Sequence, residues 1–219
     1  MVVEDLRVME LLASRICHDL ISPVGAINNG IELLEEMGGS IGEEAVKLIG
    51  HSADQASRRL KLFRLCYGMA GADTNLTCDD VLVAAREYLN GSKLTITWDS
   101  PTLKNLPNLP KGTPKVLLNT VIIAAEVLVN GGALEISAPD GPAAGRLMVV
   151  AAGRGAGQRP DAEAPLKGDV TVEGLTAKSV HPYVTGKFAE QYGAKVVWRV
   201  VGDERLELDV SYVSESAPL

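Results

Sequence analysis

Three histidines, His18, His51 and His181, supply the imidazoles of the chain, and their neighbours decide what chemistry they can do. No two of them stand at metal-ligand spacing, nor do Cys17, Cys66 and Cys78, so no metal site is expected. Cys17 and His18 adjoin and project about 100° apart on a helix, which excludes a thiolate–imidazole pair. Ser14 and His18 are four apart and can touch, but no oxyanion hole or substrate pocket accompanies them. On a helix whose packed seam holds Ala13, Ile16 and Leu20, His18 projects roughly 170° from that seam and is exposed. An imidazole with an ordinary pKa near 6.5 keeps a free lone pair on one nitrogen around neutral pH, and that lone pair can attack phosphorus. Asp19 adjoins it, and Arg15, one turn earlier, can screen the charge of an added phosphoryl group. Ser14, Arg15, Ile21, Ser22, Gly25 and Asn29 lie within about 60° of the same face, small enough for another protein to approach. Composition and spacing alone favour a plain solvated histidine on a structural helix.

The elements that must carry this face follow from periodicity. From Leu6 through Met9, Ala13, Ile16, Leu20, Val24, Ile27 and Ile31 to Leu34 the apolar residues recur at steps of three and four, the signature of a long helix. Pro23 falls inside it, where a lost donor and a ring clash should bend it. Gly38-Gly39 should stop it, and Ser40-Ile-Gly-Glu43 is a capping-box pattern for a second helix running through Ala45, Ile49, Ser52, Ala56, Leu60, Phe63 and Tyr67 to about Ala70. His51 belongs on its outer face. Two such helices cannot cover their own stripes, so two hairpins pairing into a four-helix bundle, and hence a homodimer, are expected.

After Gly71-Ala-Asp-Thr-Asn the pattern turns to mixed helices and strands, which divides the chain into residues 1–72 and 76–215. Thr77-Cys-Asp-Asp80 should cap a helix to Leu89, and Leu94–Trp98 reads as a strand. Thr113-Pro114 reads as N-cap and N1 proline of a helix to about Val129. Strands are expected at Ala133–Ala138, Arg146–Ala152, Lys195–Val201 and Arg205–Val213, the last two as a hairpin around Gly202-Asp203, with a helix at about Ser179–Tyr192 before it. The fold class is therefore α+β, with helices on one face of a mostly antiparallel sheet.

Composition narrows the partners. With 21 Lys and Arg against 28 Asp and Glu the net charge is −7, which argues against a nucleic-acid binder. The most apolar run, Val116–Val129, is shorter than a bilayer span of about 20 residues and is interrupted by Asn119, Thr120 and Glu126, so it reads as a buried helix. No signal-peptide pattern is visible at the N-terminus, and three unpaired cysteines suit a reducing compartment, so a cytoplasmic protein is expected.

His18-Asp19-Leu20-Ile21-Ser22-Pro23 resembles the H-box of dimeric sensor histidine kinases: a phosphoaccepting histidine, an acid next to it, and a proline five residues on. The longer run from Arg15 to Glu35, RICHDLISPVGAINNGIELLE, resembles the ChpT-type histidine phosphotransferases of bacterial cell-cycle phosphorelays, and the likeness extends over essentially the whole chain. It implies a hairpin that dimerises as a four-helix bundle and a C-terminal α/β sandwich shaped like the kinases' ATPase domain. What a kinase needs there is missing. Its metal-binding Asn would fall at Ile123, its adenine-recognising Asp at Ala151 of Ala151-Ala-Gly-Arg-Gly155, and its phosphate-cradling Gly-x-Gly near Ser179-Val-His181. ATP binding is therefore not expected, and Gly153-Arg-Gly-Ala-Gly157 is read as a turn rather than a phosphate loop.

The resemblance implies that His18 relays a phosphoryl group from the receiver domain of a hybrid histidine kinase to response regulators, with no cofactor of its own and with magnesium on the partner's receiver. Asp19 would orient the imidazole or take its proton, and Arg15 would steady the phosphoryl group. Ser22, Gly25, Ala26, Asn29, Gly30 and Leu33 are the candidates for receiver docking, and the C-terminal domain for a second contact. A residual histidine kinase with an unusual nucleotide site and a receiver-binding adaptor that accepts no phosphate are the alternatives. No nucleic acid and no membrane enter the scheme.

Overall fold

Two helices build the N-terminal part, α1 (Val3–Met37) and α2 (Gly42–Cys66). The computed structural model describes residues 3–37, 42–72, 76–98, 103, 106, 109–141, 143–157 and 159–213; the Gly38-Gly39 stop and the Ser40 cap expected between these helices lie outside them. α1 runs as one helix through Pro23. Gly30 is buried where the two helices meet, and a Cβ there would stand 2.6 Å from Ile49 Cγ1, so the missing side chain sets how closely they approach. α2 stops at Cys66, short of the expected Ala70, and a 3₁₀ turn at Met69–Ala72 completes the descent.

The C-terminal part opens with α3 (Cys78–Leu89), whose capping box is complete: Thr77 Oγ1 accepts from the Asp80 amide at 3.2 Å, and the Asp80 carboxylate accepts from the Thr77 amide at 2.9 Å. These bonds to Thr77 hold the Asp80 carboxyl below the ordinary range. Five strands form one sheet: β1 (Leu94–Trp98), β2 (Gly132–Ser137), β3 (Arg146–Ala152), β4 (Ala194–Val200) and β5 (Arg205–Tyr212), in the order β1-β2-β3-β5-β4. Only β1 and β2 pair in parallel, with Leu94 opposite Gly132, and the crossover that a parallel pair requires is α4 (Thr113–Glu126). The other three pairings are antiparallel.

α4 is buried at every residue from Thr113 to Ala125, as a helix apolar all round must be. It ends at Glu126 rather than Val129, and its N-cap is Gly112, not Thr113. The reason lies across the core: Gly112 has φ +80°, and a Cβ on it would stand 2.2 Å from the Tyr192 ring. Leu134, Ile136, Leu147, Val149, Leu206, Leu208 and Val210 point inward from alternate strand positions into the same core as Leu117, Leu118, Val121 and Ile122 of α4. Each such side chain contributes roughly 1.5–3 kcal/mol on burial. Glu135 stays exposed on the other face, so the sheet is solvated on one side.

Among the described residues two further helices join the layer. α6 (Val180–Gln191) was expected; α5 (Pro160–Lys167) was not, because eight residues holding Pro160 and Pro165 carry no readable helical period. Gly168, at φ +78°, closes α5 by donating its amide to the Ala164 and Pro165 carbonyls. The hairpin joins this core directly: Leu62, Phe63 and Cys66 of α2 belong to it, and Ile16 and Leu20 of α1 pack against it. Among the described residues no helix is long and apolar enough to cross a membrane.

Candidate functional site

His18 stands on α1 with 88% of its side chain exposed. Its Nδ1 lies 3.2 Å from Asp19 Oδ1. An ionised carboxylate can only accept, so the proton sits on Nδ1 and the lone pair is left on Nε2. Asp19 is held in turn from its main chain. Pro23 has no N–H, so the Asp19 carbonyl four residues before it loses its helical donor, and Nη1 of Arg59 on α2 donates to that oxygen. The hairpin partner therefore repairs the helix at the residue that orients the imidazole.

Arg15 does not stand free for a phosphoryl group. Its side chain is only 13% exposed, and Nη2 donates to the Glu126 carboxylate at the C-terminal end of α4. Burial by itself lowers the Arg15 pKa, but the Glu126 charge, Tyr67, the hydrogen bond to Glu126 and Asp19 together outweigh it, and the guanidinium stays protonated. Burial raises the Glu126 carboxyl above its ordinary range, against the opposing pull of Arg15 and then of Arg159. Arg159 also donates to the Glu126 main-chain oxygen at 3.1 Å. One turn from His18, α1 is tied to the C-terminal part by charge.

A second polar tie joins the same two parts. Tyr67, just past α2, donates its hydroxyl to His181 Nδ1 at 2.5 Å, and His181 Nε2 donates to the Asn119 main-chain oxygen at 3.3 Å. Asn119 Nδ2 donates to the Cys66 carbonyl at 3.1 Å. His181 is 1% exposed, and burial pushes its pKa down to about 3, so the ring is neutral, as both bonds require. It is a structural residue at the start of α6, while His51 lies exposed on α2.

The docking candidates divide by burial. Ser22 and Asn29 are exposed; Gly25, Ala26 and Leu33 are half-buried, and the space around a Cβ at Gly25 is open. Gly30 is corrected: it packs against Ile49 inside the hairpin and presents nothing outward. In the single chain Cys17 is exposed on α1, whereas Cys66 and Cys78 are buried, with burial pushing the Cys78 thiol up to about 12.

The positions at which the resemblance puts a kinase's Asn and Asp lie in the core. Ile123 is 1% exposed and Ala151 fully buried, both in the shared core. Gly153–Gly157 is a turn, with the Ala156 amide on the Gly153 carbonyl at 3.1 Å and the Gly153 amide on the Glu204 carbonyl at 2.9 Å. Among the described residues no three His, Cys, Asp or Glu gather as a metal site would require. Arg59, Glu126, Tyr67 and His181 were missed as site-supporting residues by sequence reasoning. Two signals were present: an internal proline orphans a specific carbonyl, and Glu126 is a lone carboxylate at the end of an otherwise apolar run.

The arrangement offers an exposed nucleophilic nitrogen backed by a carboxylate. Residues 78–204 match the family model described as the histidine phosphotransferase C-terminal domain. Over 187 residues the chain is 39% identical to the protein phosphotransferase ChpT of Brucella abortus (strain 2308), covering 85% of this chain and 87% of that one. A solved bacterial phosphotransferase superposes with a TM-score of 0.78 at 33% identity, covering 96% of this chain and 98% of that one.

Proposed function

The chain belongs to the histidine phosphotransferase family, and from that premise we propose that His18 is the residue that carries the phosphoryl group. The protein is a phosphotransferase of phosphorelays, with response regulators as partners. The observation that carries the assignment is the exposed His18 ring with Nδ1 bonded to Asp19. The Nε2 lone pair attacks the phosphorus of a receiver's aspartyl phosphate in line. As the N–P bond forms, the P–O bond breaks and the aspartate leaves with its electron pair. The positive charge gained by the ring is offset by Asp19, and the reverse step delivers the group to a second receiver's aspartate. The donor is the receiver domain of a hybrid histidine kinase. Magnesium belongs to the receiver's acidic site, and this chain supplies position and the nitrogen.

The receiver docks on the His18 face through Ser22, Gly25, Ala26, Asn29 and Leu33, with a second contact from the C-terminal domain. Leu6, Met9, Val24 and Ile31 on α1 and Val46 and Leu60 on α2 are at least 40% exposed in the single chain. Apolar surface so placed supports the homodimeric four-helix bundle. Ile123 and Ala151, packed in the core, support transfer without ATP. The unpaired thiols favour the cytoplasm.

The test is incubation with a receiver domain carrying labelled phosphoryl group, beside a lane with labelled ATP alone. Label should reach the wild-type protein from the receiver only, and none should reach His18→Gln. Label from ATP would restore a kinase, and label from neither source would leave an adaptor.

A further inference from the structure

We propose that Glu126 is a positioning residue for transfer at His18, acting through Arg15 to fix the rotation of α1 about its own axis; the inference rests on the assignment of His18. Glu126 is the last residue of α4, where the helix dipole disfavours a carboxylate. No cation on the last turn of α4 answers it, and Arg159 exerts a smaller pull than the partner from the hairpin. That partner is Arg15. A half-buried ion pair is a weak source of stability because both charges lose water, but its hydrogen bond is directional.

The geometry converts that direction into placement. Arg15 precedes His18 by three residues on one continuous helix, so any rotation that parts Arg15 from Glu126 swings the imidazole through the same angle. For a helix of about 5–6 Å outer radius, a turn of roughly 20° moves the imidazole about 2 Å. In-line transfer tolerates little of this, since about 1 Å of misplacement can cost about 100-fold in rate.

A single pin would leave a pivot, and the structure supplies a second. Asn119, two turns before Glu126 on α4, holds the end of α2 through the Cys66 carbonyl, and its own carbonyl accepts from His181, which accepts from Tyr67. One buried helix thus grips both helices of the hairpin, α1 at Glu126 and α2 at Asn119.

Single-turnover transfer from a receiver domain charged with labelled acetyl phosphate tests this in wild type, Glu126→Gln, Glu126→Arg, Arg15→Glu, the double reversal and His18→Gln. The three single changes at positions 15 and 126 should reach the wild-type final extent of labelling. Their rate constants at saturating receiver should fall at least tenfold, with the half-saturating concentration changed less than threefold, and the double reversal should recover most of the loss. Wild-type rate constants in both Glu126 variants would overturn the inference. So would a loss of labelled fraction at an unchanged rate constant, which is a folding defect alone. No label on wild type, or label surviving His18→Gln, would instead overturn the His18 assignment, and the role of Glu126 with it.

Discussion

Arg59 donates to the main-chain oxygen of Asp19, the carbonyl that Pro23 leaves without its helical donor. A proline that breaks the α1 ladder at the base of the proposed phosphoacceptor site is thus answered by a cation from the other helix of the hairpin. The same residue that gives its carbonyl to Arg59 gives its carboxylate to His18.

Arg59→Ala should cost about 1–3 kcal/mol, the penalty of leaving a carbonyl unsatisfied. In a Pro23→Ala background the restored amide takes over, so the cost should fall by at least half. Urea unfolding of the four proteins in this cycle measures the coupling. An equal cost in both backgrounds would show that Arg59 stabilises by other contacts.

Asp19→Asn keeps an acceptor for the Nδ1 proton and removes the charge that offsets the ring once Nε2 is bonded to phosphorus. Transfer from a phosphorylated receiver should slow by about 10- to 100-fold, toward the lower end of what a positioned acid or base supplies. Rapid-quench kinetics at saturating receiver would read this, and an unchanged rate would reduce Asp19 to a spectator.

Gly25 and Gly30 differ by five residues and should behave oppositely. A Cβ at Gly25 meets nothing within 4 Å, so Gly25→Arg should leave thermal stability within a degree or two of wild type, by the small effect expected of surface changes, while weakening receiver binding. At Gly30 the nearest atom would be 2.6 Å away on Ile49, so Gly30→Val should cost about 1–3 kcal/mol through overpacking. Calorimetry with a receiver domain, together with thermal melts, separates docking from packing.

His181 makes stability depend on acid. Its imidazole is pushed from the ordinary 6.5 to about 3 by burial and then by the Arg15 charge. Between these values the unfolded chain binds the proton and the folded one does not. The contribution is therefore fully present above about pH 6.5 and is lost as pH falls toward 3, at up to about 1.4 kcal/mol per pH unit. His181→Gln should flatten the slope of unfolding free energy between pH 6.5 and 5, measured by urea titration. An unchanged slope would mean that other groups control it.

Much of the scaffold was legible because it is written in local period and local caps. The three-and-four steps of α1, the Thr77–Asp80 box, and the short apolar run of β3, expected at Arg146–Ala152 and found there, are statements about neighbours along the chain. Departures came where distant residues decide. Gly112 caps α4 because Tyr192 fills the space, α5 forms where Ala162 and Leu166 enter the core, and Gly30 is buried because Ile49 faces it.

The sequence by itself determined the chemistry: an imidazole on the exposed face of a helix, an adjacent acid, and apolar residues where a nucleotide site would need Asn and Asp. The imidazole and its acid follow from residue type and helical angle, which need no partner to be read; the places of the missing Asn and Asp follow from the resemblance to the kinases. Only the tertiary structure decided what Arg15 does. Its helical position put it one turn from His18 and suggested a free cation, but a guanidinium goes to the anion it can reach, and that anion, Glu126, is 111 residues away along the chain. The pairing of Arg59 with the carbonyl orphaned by Pro23 is of the same kind. A proline announces a missing bond in the sequence, and only packing chooses the donor that restores it.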